Sequence, residues 1–463
     1  MPSREARTKT GRGDFQPDEG QTQAEEANGQ ETAGLVCVAI VDNSGITRAK
    51  FIPATRLQEA VERGLGAPHF GLFALDDTVI KVPEAQAPLL ESRLRPDPAR
   101  VIPQYGSSLL SWAPADQLGP DLMPLATCAR TFAKSQITRA RQAGLDFRMA
   151  FEVEFSLFES GGAVAHQGPG YGCIPLVELE PFALSVCAAA ASQALRVEQF
   201  HAEYSPGQCE ITIAPADPLR AADDYMLLRH TLLRAARNHG LRISFAPLAT
   251  SDGLGNGTHV HWSAWRDGVN LLARHSAARQ LQEVGEFLVG GMLAHLPDIM
   301  AILAPSPLSY HRLQPGHWAS AFQCWGVANR EASIRLLPDA GDAQGAGANA
   351  EVKPIDGSAN PYLVAGALVG CALHGLEHRI RLPPPLQVDP GLLSDSDRSA
   401  HGVARLPIDL GQAVDHMRNS DVARGLLGQT LWEWLLLLRE DEVRRLGQLD
   451  KTQLVDLCRY RYG

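Results

Sequence analysis

The sequence predicts an α+β protein with a small N-terminal domain and a large catalytic-type C-terminal domain. The chain has 463 residues, more than one ordinary core requires. Short strands joined by a turn follow residue 34, and from Leu125 amphipathic helices alternate with strands. We therefore expect a disordered arm over 1–34, an N-terminal domain over 35–122 and a catalytic domain over 123–463.

The first elements are defined by composition and by turn residues. Residues 1–34 are rich in Gly, Gln, Glu, Thr and Arg, so they cannot bury enough apolar surface to become ordered. The apolar run at 35–42 predicts a strand, and the turn Asn43-Ser-Gly45 returns the chain into a second strand at 46–52. These elements predict a β-hairpin at the start of the N-terminal domain.

In the larger part of the chain, apolar residues recur with the helical period of 3.6 in some segments and with the strand period of 2 in others. Helices are predicted at 125–143, 181–194, 221–238 and 277–303, and strands at 149–158, 198–204 and 209–214. A Gly/Ala/Asp-rich stretch at 339–350 predicts a flexible loop. A last helix is predicted from Asn360-Pro361 to residue 379, because Asn is a favoured N-cap and Pro fits the first helical position.

Composition limits the partners and the compartment. A net charge of −10 argues against nucleic acid, since phosphate binding needs basic patches. No apolar run reaches the length of a membrane span, and the N-terminus lacks the apolar core of a secretory signal. The eight cysteines form no CxxC pair, which suits a reducing cytosol. We expect a cytoplasmic protein without membrane contact.

The predicted strand at 149–158 carries two carboxylates on one face. Its period of two directs Glu152 and Glu154 away from Phe151, Val153 and Phe155. Burying such like charges without a counter-ion costs several kcal/mol per ion. Either this strand face is exposed to solvent, or the two glutamates bind a divalent cation. This strand by itself leaves both interpretations open.

Three further motifs repeat the acidic theme. Glu203 and Glu210 flank a Gly turn, so a hairpin would bring them together; a solvated hairpin is the alternative. His259 and His261 share one strand face after a Gly-rich turn, where the glycines indicate close approach of the backbone to a ligand. We favour a metal or phosphate role for these histidines over a structural one. Glu351 precedes the last predicted helix.

Three arginines lie in two glycine- and aromatic-containing motifs. Arg312, Arg330 and Arg335 suit a clamp for carboxylate and phosphate groups, although arginines at the surface also occur without a role. Five glutamates and one histidine suffice for two divalent ions, an arrangement that phosphoryl transfer from a nucleotide needs. The sequence contains no GxxxxGK[ST] loop, so an ATP site would be built on this acidic scaffold.

The order and spacing of these motifs resemble the glutamine synthetase family, class I, over about residues 35–460. The match includes Val-Asp-x-x-Gly-x-x-Arg-x-Lys at 41–50 and Asn-Pro-Tyr-Leu at 360–363. The resemblance implies a β-grasp-like N-terminal domain and a glutamine synthetase-type α/β catalytic domain. It also implies a homo-oligomer, a hexamer or dodecamer, with active sites between subunits.

The resemblance further implies a role for each candidate residue. One metal ion, Mg²⁺ or Mn²⁺, would be held by Glu154, Glu203 and Glu210, and a second by Glu152, His259 and Glu351. The remaining implied roles are catalysis by Arg330, Arg335 and Trp318, substrate binding by Arg312, Gly255 and Lys353, and ATP binding by Ser263, His261 and Arg335.

One departure from the family pattern concerns the acceptor substrate. Glutamine synthetases carry a glutamate two residues after the Pro-Gly of the Arg-Leu-x-Pro-Gly motif, where this chain has Trp318. An indole cannot accept a proton or balance an ammonium charge, but it offers an apolar or cation–π wall to an organic amine. The Gly-x-Trp pattern at this position resembles that of the γ-glutamyl-amine ligase branch.

The expected function is an ATP-dependent ligase that joins glutamate to an amine through a γ-glutamyl phosphate. Two alternatives remain: an ordinary glutamine synthetase that uses ammonia, and a catalytically silent homologue that binds ATP or glutamate. The silent alternative is motivated by Lys353, Leu248 and Leu254, where the family usually has arginine, lysine and asparagine. Asp76 and Asp77 are the nearest candidates for the acidic amine-binding residue of the N-terminal domain.

Overall fold

The computed structural model describes most of the chain beyond its N-terminal segment. The described residues are 34–81, 91–104, 106–107, 109–275, 280–339 and 345–463. The predicted disordered arm therefore lies outside the described residues, except for Gly34. Alpha-helices and mixed sheets occur together, which confirms the α+β class.

The first sheet is built from the N-terminal part of the described chain. Its elements are β1 (Leu35–Val41), β2 (Thr47–Pro53), α1 (Leu57–Arg63), β3 (Leu65–Ala67), β4 (Ser92–Pro96), β5 (Ile102–Pro103) and β6 (Leu110–Leu118). The strand order is β2-β1-β6-β4-β3, with β5 paired to β6. Strands β1 and β2 form the predicted antiparallel hairpin, and Gly45 in its turn has a φ of +77°, which favours glycine.

The second sheet dominates the larger part of the chain. The remaining strands are β7 (Asp146–Glu159), β8 (Val197–Ala202), β9 (Gln208–Ile213), β10 (Leu241–Ser244), β11 (Thr258–Arg266), β12 (Val269–Asn270), β13 (Arg274–His275), β14 (Gln280–Leu281), β15 (Phe322–Gln323), β16 (Trp325–Val327), β17 (Ile334–Leu337), β18 (Asn349–Val352) and β19 (Ala404–Arg405). The order in the large sheet is β16-β17-β18-β11-β7-β9-β8, with β10 added at β7 and β12 at β11. Two short pairs, β13–β14 and β15–β19, lie outside it.

Helices accompany this sheet and form the C-terminal end of the chain. They are α2 (Ala129–Gln142), α3 (Cys173–Glu178), α4 (Glu180–Ser192), α5 (Pro218–Asn238), α6 (Glu283–Ala294), α7 (Met300–Leu303), α8 (Ser309–Arg312), α9 (Pro361–His378), α10 (Asp395–Ala400), α11 (Leu410–Asn419), α12 (Asp421–Leu427), α13 (Gln429–Leu446) and α14 (Lys451–Cys458). The Asn360 side chain accepts hydrogen bonds from the backbone N–H groups of Tyr362 and Leu363, which confirms the predicted N-cap of α9.

Strand β7 shows why the large sheet has two different faces. Phe151, Val153 and Phe155 are buried on one face, and the Phe151 ring stacks 4.8 Å from the Tyr225 ring of α5. Glu152 and Glu154 are half-buried on the opposite face. The predicted alternation is confirmed, and the helix-covered face leaves the other face to polar side chains.

Two predicted elements differ in the structure. The prediction of a single helix over 277–303 is wrong, because α6 ends at Ala294. Residues 277–279 lie outside the described residues. Pro297, which has no backbone N–H, follows this break, and the two helical parts are bent by 55°. The loop predicted over 339–350 is also too long, because Asn349 already pairs with Leu337 in the sheet. Its residues 340–344 lie outside the described residues.

The predicted domain boundary at 122/123 falls between β6 and α2. Gly34 to Gly463 nevertheless forms one compact unit, and Trp112 of β6 belongs to the same hydrophobic core as Phe151 of β7. The division into 35–122 and 123–463 therefore stays a prediction. In the described part of the chain, no single helix meets the length and apolarity of a membrane span; one bent pair, Glu283–Ala294 with Pro297–Leu303, meets them by length and composition only.

Candidate active site

The register of the large sheet assembles the candidate site. Glu152 on β7 lies opposite His259 on β11, and Glu154 lies opposite Glu210 on β9. At the edges of this group, Glu210 faces His201 on β8, and Glu351 on β18 is flanked by His261 and Arg335, on β11 and β17 respectively. Residues far apart in the chain therefore become neighbours, because directly opposed residues of antiparallel strands project on the same face.

The first ligand group combines β7, β11 and β18. The carboxylate of Glu152 is 2.7 Å from Nδ1 of His259, and Glu351 is 3.3 Å from the same nitrogen. One potential ligand atom of each residue lies within 4.8 Å of the others. This is the set Glu152, His259 and Glu351 that the sequence predicts for one metal ion.

The second predicted set, Glu154, Glu203 and Glu210, is divided between two groups that share Glu210. Glu210 converges with Glu152 and Glu154 in one group, and with His201 and Glu203 in another. Nε2 of His201 is 2.8 Å from Glu203 and 3.7 Å from Glu210. The sequence interpretation missed His201, although its position two residues before Glu203 in a strand places both on one face.

The charge balance of this acidic face is uneven. Burial raises the pKa of Glu210 to about 10, aided by the negative charges of Glu152, Glu154, Glu203 and Glu351. Burial by itself would also raise the pKa of Glu152, but hydrogen bonds to His259 and His261 hold it well below its usual value. Glu210 thus lacks compensating positive charge, which a divalent cation would supply.

Basic side chains lie on the other side of the first ligand group. Nε of Arg335 is 2.6 Å and Nζ of Lys353 is 3.2 Å from the Glu351 carboxylate. These two charges, with nearby histidines, lower the pKa of Glu351 although burial opposes this shift. Arg330 is exposed and lines the same cavity, without an ion pair to the described residues.

Arg312 lies at the centre of the site and is 4% exposed. Its Nη2 donates to Nε2 of His259 at 3.2 Å, and its Nη1 has no hydrogen-bond partner among the described residues. A Cβ added at Gly255 would lie 2.4 Å from Cγ of Arg312, and one at Gly257 would lie 2.5 Å from Nε2 of His259. The glycines therefore make room for these two side chains, where the sequence interpretation expected them to make room for a ligand.

Two adjoining cavities share Glu152 and Gln199. The first, of about 260 Å³, is lined by all six predicted metal ligands and by Arg312, Arg330, Arg335, Lys353, Gly255 and Trp318. The second, of about 390 Å³, is lined by His261 and Ser263 but not by Arg335. Of the three predicted ATP-binding residues, Arg335 thus borders the first cavity only.

The second cavity also has an aromatic wall that sequence reasoning did not identify. The Trp265 ring lies 4.2 Å from the guanidinium carbon of Arg148, and its Nε1 donates to Oγ of Ser263 at 2.9 Å. His261 lines the second cavity and contacts Glu152, which borders both cavities, at 3.2 Å, and Asn349 at 2.9 Å. Trp265 follows Ser263 with a period of two, a signal that was available in the sequence.

Trp318 stands at the mouth of the first cavity and is 44% exposed. Its ring meets the Tyr204 ring at 4.9 Å and an angle of 74°, and the Tyr204 ring meets Tyr171 at 5.5 Å and 77°. The Tyr171 hydroxyl donates to Glu203 at 2.8 Å. Neither tyrosine was among the predicted site residues, because only the fold brings 171, 204 and 318 together.

The residues that depart from the family pattern have different environments. Leu248 is 2% exposed in the core and does not line either cavity, whereas Leu254 lines the first one. Asp76 pairs with Arg445, and Asp77 pairs with Arg48 and Arg461. Neither aspartate lines the first or the second cavity, and each already has a cationic partner.

The donor set fits hard divalent cations. Carboxylate oxygens and the imidazole nitrogens of His201 and His259 converge in three groups, and the raised pKa of buried Glu210 indicates excess negative potential. The arginines and Lys353 next to them suit phosphate and carboxylate groups. A sheet face with these groups, next to a second cavity, has the chemistry of a site that binds divalent cations together with phosphate and carboxylate groups.

Similarity to known proteins identifies the family of this chain. The model of the glutamine synthetase catalytic domain matches residues 126–458, and the chain belongs to the glutamine synthetase family. Gamma-glutamylpolyamine synthetase GlnA3 of Streptomyces coelicolor is 37% identical over 444 residues, which cover 94% of this chain and 95% of that protein. Glutamine synthetase of Methanosarcina mazei is 27% identical and covers 90% of this chain and 92% of its own.

Solved structures agree with this assignment. A novel glutamine synthase homolog superposes with a TM-score of 0.82 at 28% identity and covers 93% of this chain and 98% of its own. GmaS in complex with ADP superposes with a TM-score of 0.78 at 25% identity, over 90% of this chain and 95% of that one. These findings confirm the predicted family, the fold class and the ligase class of enzyme.

Proposed function

We propose that this protein joins the γ-carboxylate of glutamate to an organic amine in an ATP-dependent reaction. The observation that carries the proposal is the combination of a complete acidic and basic residue set with Trp318 at the cavity mouth. The relative that carries the name gamma-glutamylpolyamine synthetase supports an amine acceptor. The proposed product is a γ-glutamyl amide, with ADP and phosphate.

Two divalent cations, Mg²⁺ or Mn²⁺, fit the donor set. Glu152, His259 and Glu351 would hold one, and Glu154, Glu203 and Glu210 the other, with His201 next to the second group. Bound cations would neutralise charge on the phosphates and the carboxylate that react. Binding requires Glu210 to lose its proton, so the affinity for metal should rise with pH.

In the first step, glutamate is held and phosphorylated. The free Nη1 of Arg312 would donate hydrogen bonds to a substrate carboxylate, and the absence of a side chain at Gly255 leaves room for the Arg312 side chain. The nucleotide would occupy the second cavity beside Ser263 and His261. A γ-carboxylate oxygen of glutamate attacks the terminal phosphorus and ADP leaves, while Arg330 and Arg335 stabilise the charge on the transferring group.

In the second step, the amine displaces phosphate. The neutral nitrogen attacks the acyl carbon of γ-glutamyl phosphate, the new C–N bond forms and the C–O bond to phosphate breaks. The surplus proton on nitrogen leaves with the phosphate. Trp318 provides an apolar and π surface for the amine, and Lys353 beside Glu351 adds positive charge near the leaving group.

Ammonia as the acceptor is the second candidate. It is favoured by relatives named glutamine synthetase, including that of Thermus thermophilus at 31% identity over 70% of this chain. The two candidates differ in the residue at position 318, because an indole cannot balance the charge of ammonium. The catalytically silent alternative predicts no multiple turnover with any acceptor.

A panel of acceptors separates these candidates. Phosphate release is measured with glutamate, ATP and either ammonia or one of several amines, and the amide is identified by mass. We expect an organic amine to exceed ammonia in kcat/KM, and Trp318→Glu to shift the preference towards ammonia, with Trp318→Phe as the matched control. Ammonia as the best acceptor of the unmodified protein would refute the amine assignment.

We further propose a homo-oligomer, a hexamer or dodecamer, in the cytoplasm. All eight cysteines are free, and six of them are buried, as expected in a reducing compartment. Light scattering of the purified chain measures its oligomeric state.

A further inference from the structure

We propose that the arginine cavity, a surface cavity bordered by Arg398 and Arg405, binds a phosphate group, either free or carried by a small molecule. This cavity has a volume of about 640 Å³ and shares no lining residue with the first or the second cavity. Its walls come from the loop after α8, from β15, from α10 and from the turn that leads into β19. The inference goes beyond the proposed function, because none of these wall residues has a role in the reaction described above.

The arginine cavity is positively charged in a chain whose net charge is −10. Among its described lining residues, Asp395 is the sole carboxylate. Asp395 pairs with Arg398, but the aspartate side chain is 98% exposed, and exposed ion pairs contribute little. Arg405 contacts backbone carbonyl oxygens and forms no ion pair within the described part of the chain. One positive charge of the cavity wall therefore lacks a counter-ion.

Both guanidinium groups are held by one aromatic ring. The Cζ atoms of Arg398 and Arg405 each lie 5.1 Å from the centroid of the buried Phe322 ring. A guanidinium that is held over a ring keeps its N–H groups for other acceptors. Phe322 thus fixes the two cations at the same place while their hydrogen-bond donors stay available.

The N–H groups of the two arginines are only partly used. Arg405 donates to the carbonyl oxygen of Leu313 at 2.9 Å and to that of Ala321. Arg398 donates to two carbonyl oxygens and to Asp395. Because a guanidinium carries five N–H groups, each arginine retains donors for which the described residues supply no acceptor. Phosphate oxygens suit such donors, since charge-assisted hydrogen bonds to guanidinium groups are strong.

The two arginines also repel each other. Burial and, after it, the positive charge of Arg398 lower the pKa of Arg405 from its usual value. A doubly charged phosphate next to both side chains would offset this repulsion and supply the missing counter-charge. A carboxylate carries only one negative charge, so phosphate is the anion that this wall favours.

The size of the cavity indicates more than a bare anion. About 640 Å³ lies within the usual range of small-molecule sites, and Pro315, Phe322 and Val403 add apolar wall beside the arginines. The cavity therefore has room for a phosphate group that carries a small organic part.

Arg405 connects this cavity with the loop that carries Trp318. Its carbonyl acceptors, Leu313 and Ala321, lie on either side of Trp318 in the chain. Pro315 of this loop lines the arginine cavity, whereas Trp318 lines the first cavity. An anion that holds Arg405 would restrain the loop, so we expect it to lower KM for the amine acceptor. This expected effect on KM rests on the proposed function, whereas the binding of phosphate does not.

The binding test adds a charge to the cavity wall without removing either arginine. Ser399 is exposed and lines the cavity, and Ser396 is exposed on the same helix but does not line it. Equilibrium dialysis of the whole protein in EDTA at low ionic strength measures the binding of inorganic phosphate and of glycerol 2-phosphate. Ser399→Asp should weaken binding about 10-fold, the effect of one charge on a dianion at about 6 Å in water, and Ser399→Lys should strengthen it by a similar factor. Ser396→Asp and Ser396→Lys are the matched controls and should leave binding unchanged.

The design separates this cavity from the candidate active site. Arg330 and Arg335 also attract phosphate, so we expect two classes of binding site in each subunit. Ser399 lines neither the first nor the second cavity, and its substitution should therefore change one class only. Damage to the fold would weaken binding in both Ser399 variants, whereas a charge effect has opposite signs; a thermal unfolding curve of each variant provides the check.

The link to the loop is tested by initial rates. Saturating glycerol 2-phosphate should lower KM for the acceptor about 5-fold in the unmodified protein and in Ser396→Asp, the lower end of usual coupling between two sites, and should have no such effect in Ser399→Asp. An unchanged KM would overturn the link and leave the binding site standing.

The outcomes of the binding test are distinct from those of the proposed function. A single class of phosphate site, or equal binding by the Ser399 and Ser396 variants, overturns the inference. Tighter binding of glycerol 2-phosphate than of inorganic phosphate assigns the cavity to a phosphorylated molecule, and the reverse order assigns it to free phosphate. Absence of amide formation with every acceptor overturns the proposed function and does not alter the dialysis result.

Discussion

Two carboxylates of the same sheet face should respond differently to loss of charge. Glu351→Gln leaves Arg335 and Lys353, 2.6 and 3.2 Å from the original carboxylate, without their acidic partner in a site where Glu351 is 1% exposed. Removing one partner of a buried ion pair costs about 3–5 kcal/mol. We therefore expect the free energy of unfolding of the metal-free protein to fall by about that amount.

Glu210→Gln removes the same formal group from different surroundings. Burial and four neighbouring glutamates raise the pKa of Glu210 to about 10, so it is protonated at neutral pH when no metal is bound. A carboxamide and a protonated carboxyl have nearly the same shape and charge. The expected change in the free energy of unfolding is within about 1 kcal/mol.

The assay is denaturant unfolding of both variants and the unmodified protein, first with EDTA and then with Mn²⁺. Manganese at roughly 100 times its Kd should stabilise the unmodified protein by about 2.7 kcal/mol for each of the two proposed sites, and each variant by about one site less. Equal destabilisation of the two variants in EDTA would refute the assigned charge balance. Full stabilisation of Glu210→Gln by Mn²⁺ would refute its assignment as a ligand.

Three further predictions concern glutamate, the nucleotide and pH. Arg312→Lys should raise KM for glutamate about 10-fold or more, with less effect on ATP, because a lysine loses the forked donor geometry; initial rates measure both. Trp265→Ala should raise KM for ATP about 3-fold or more and leave that for glutamate nearly constant, as its ring lines only the second cavity. Burial lowers the pKa of His69 from 6.5 to about 4, so its neutral form stabilises the fold above pH 6.5 and this contribution is lost as pH falls towards 4. At pH 5 that loss is about 2 kcal/mol, and His69→Gln should reduce the difference in unfolding free energy between pH 7.5 and pH 5 by this amount.

Local patterns in the sequence were sufficient for the elements that carry the site. The alternation of β7 directed Glu152 and Glu154 to one face because the period of a strand is a property of the backbone itself. The N-cap at Asn360 was also predictable, since the contact is made within four residues. The continuous helix over 277–303 failed because apolar composition does not reveal where the chain bends next to Pro297.

Local sequence patterns could not predict which residues become neighbours through strand pairing. His201 was missed although it lies beside Glu210 in the sheet, and Tyr204 was missed although its ring meets that of Trp318. Asn349 was placed in a loop, because a short strand with polar residues is stabilised by its neighbours β11 and β17. Register is a non-local property, and no window of the sequence contains it.

The sequence by itself determined which chemical groups this protein contributes: five glutamates and a histidine in an order that defines a glutamine synthetase-type ligase, and an indole where that family has a carboxylate. The tertiary structure decided which charged side chains lie next to each of these groups. Glu351 meets Arg335 and Lys353, while Glu210 meets other carboxylates, because the register of neighbouring strands sets each side chain's partners. The free energy of a buried charge depends on those partners, and they come from distant parts of the chain.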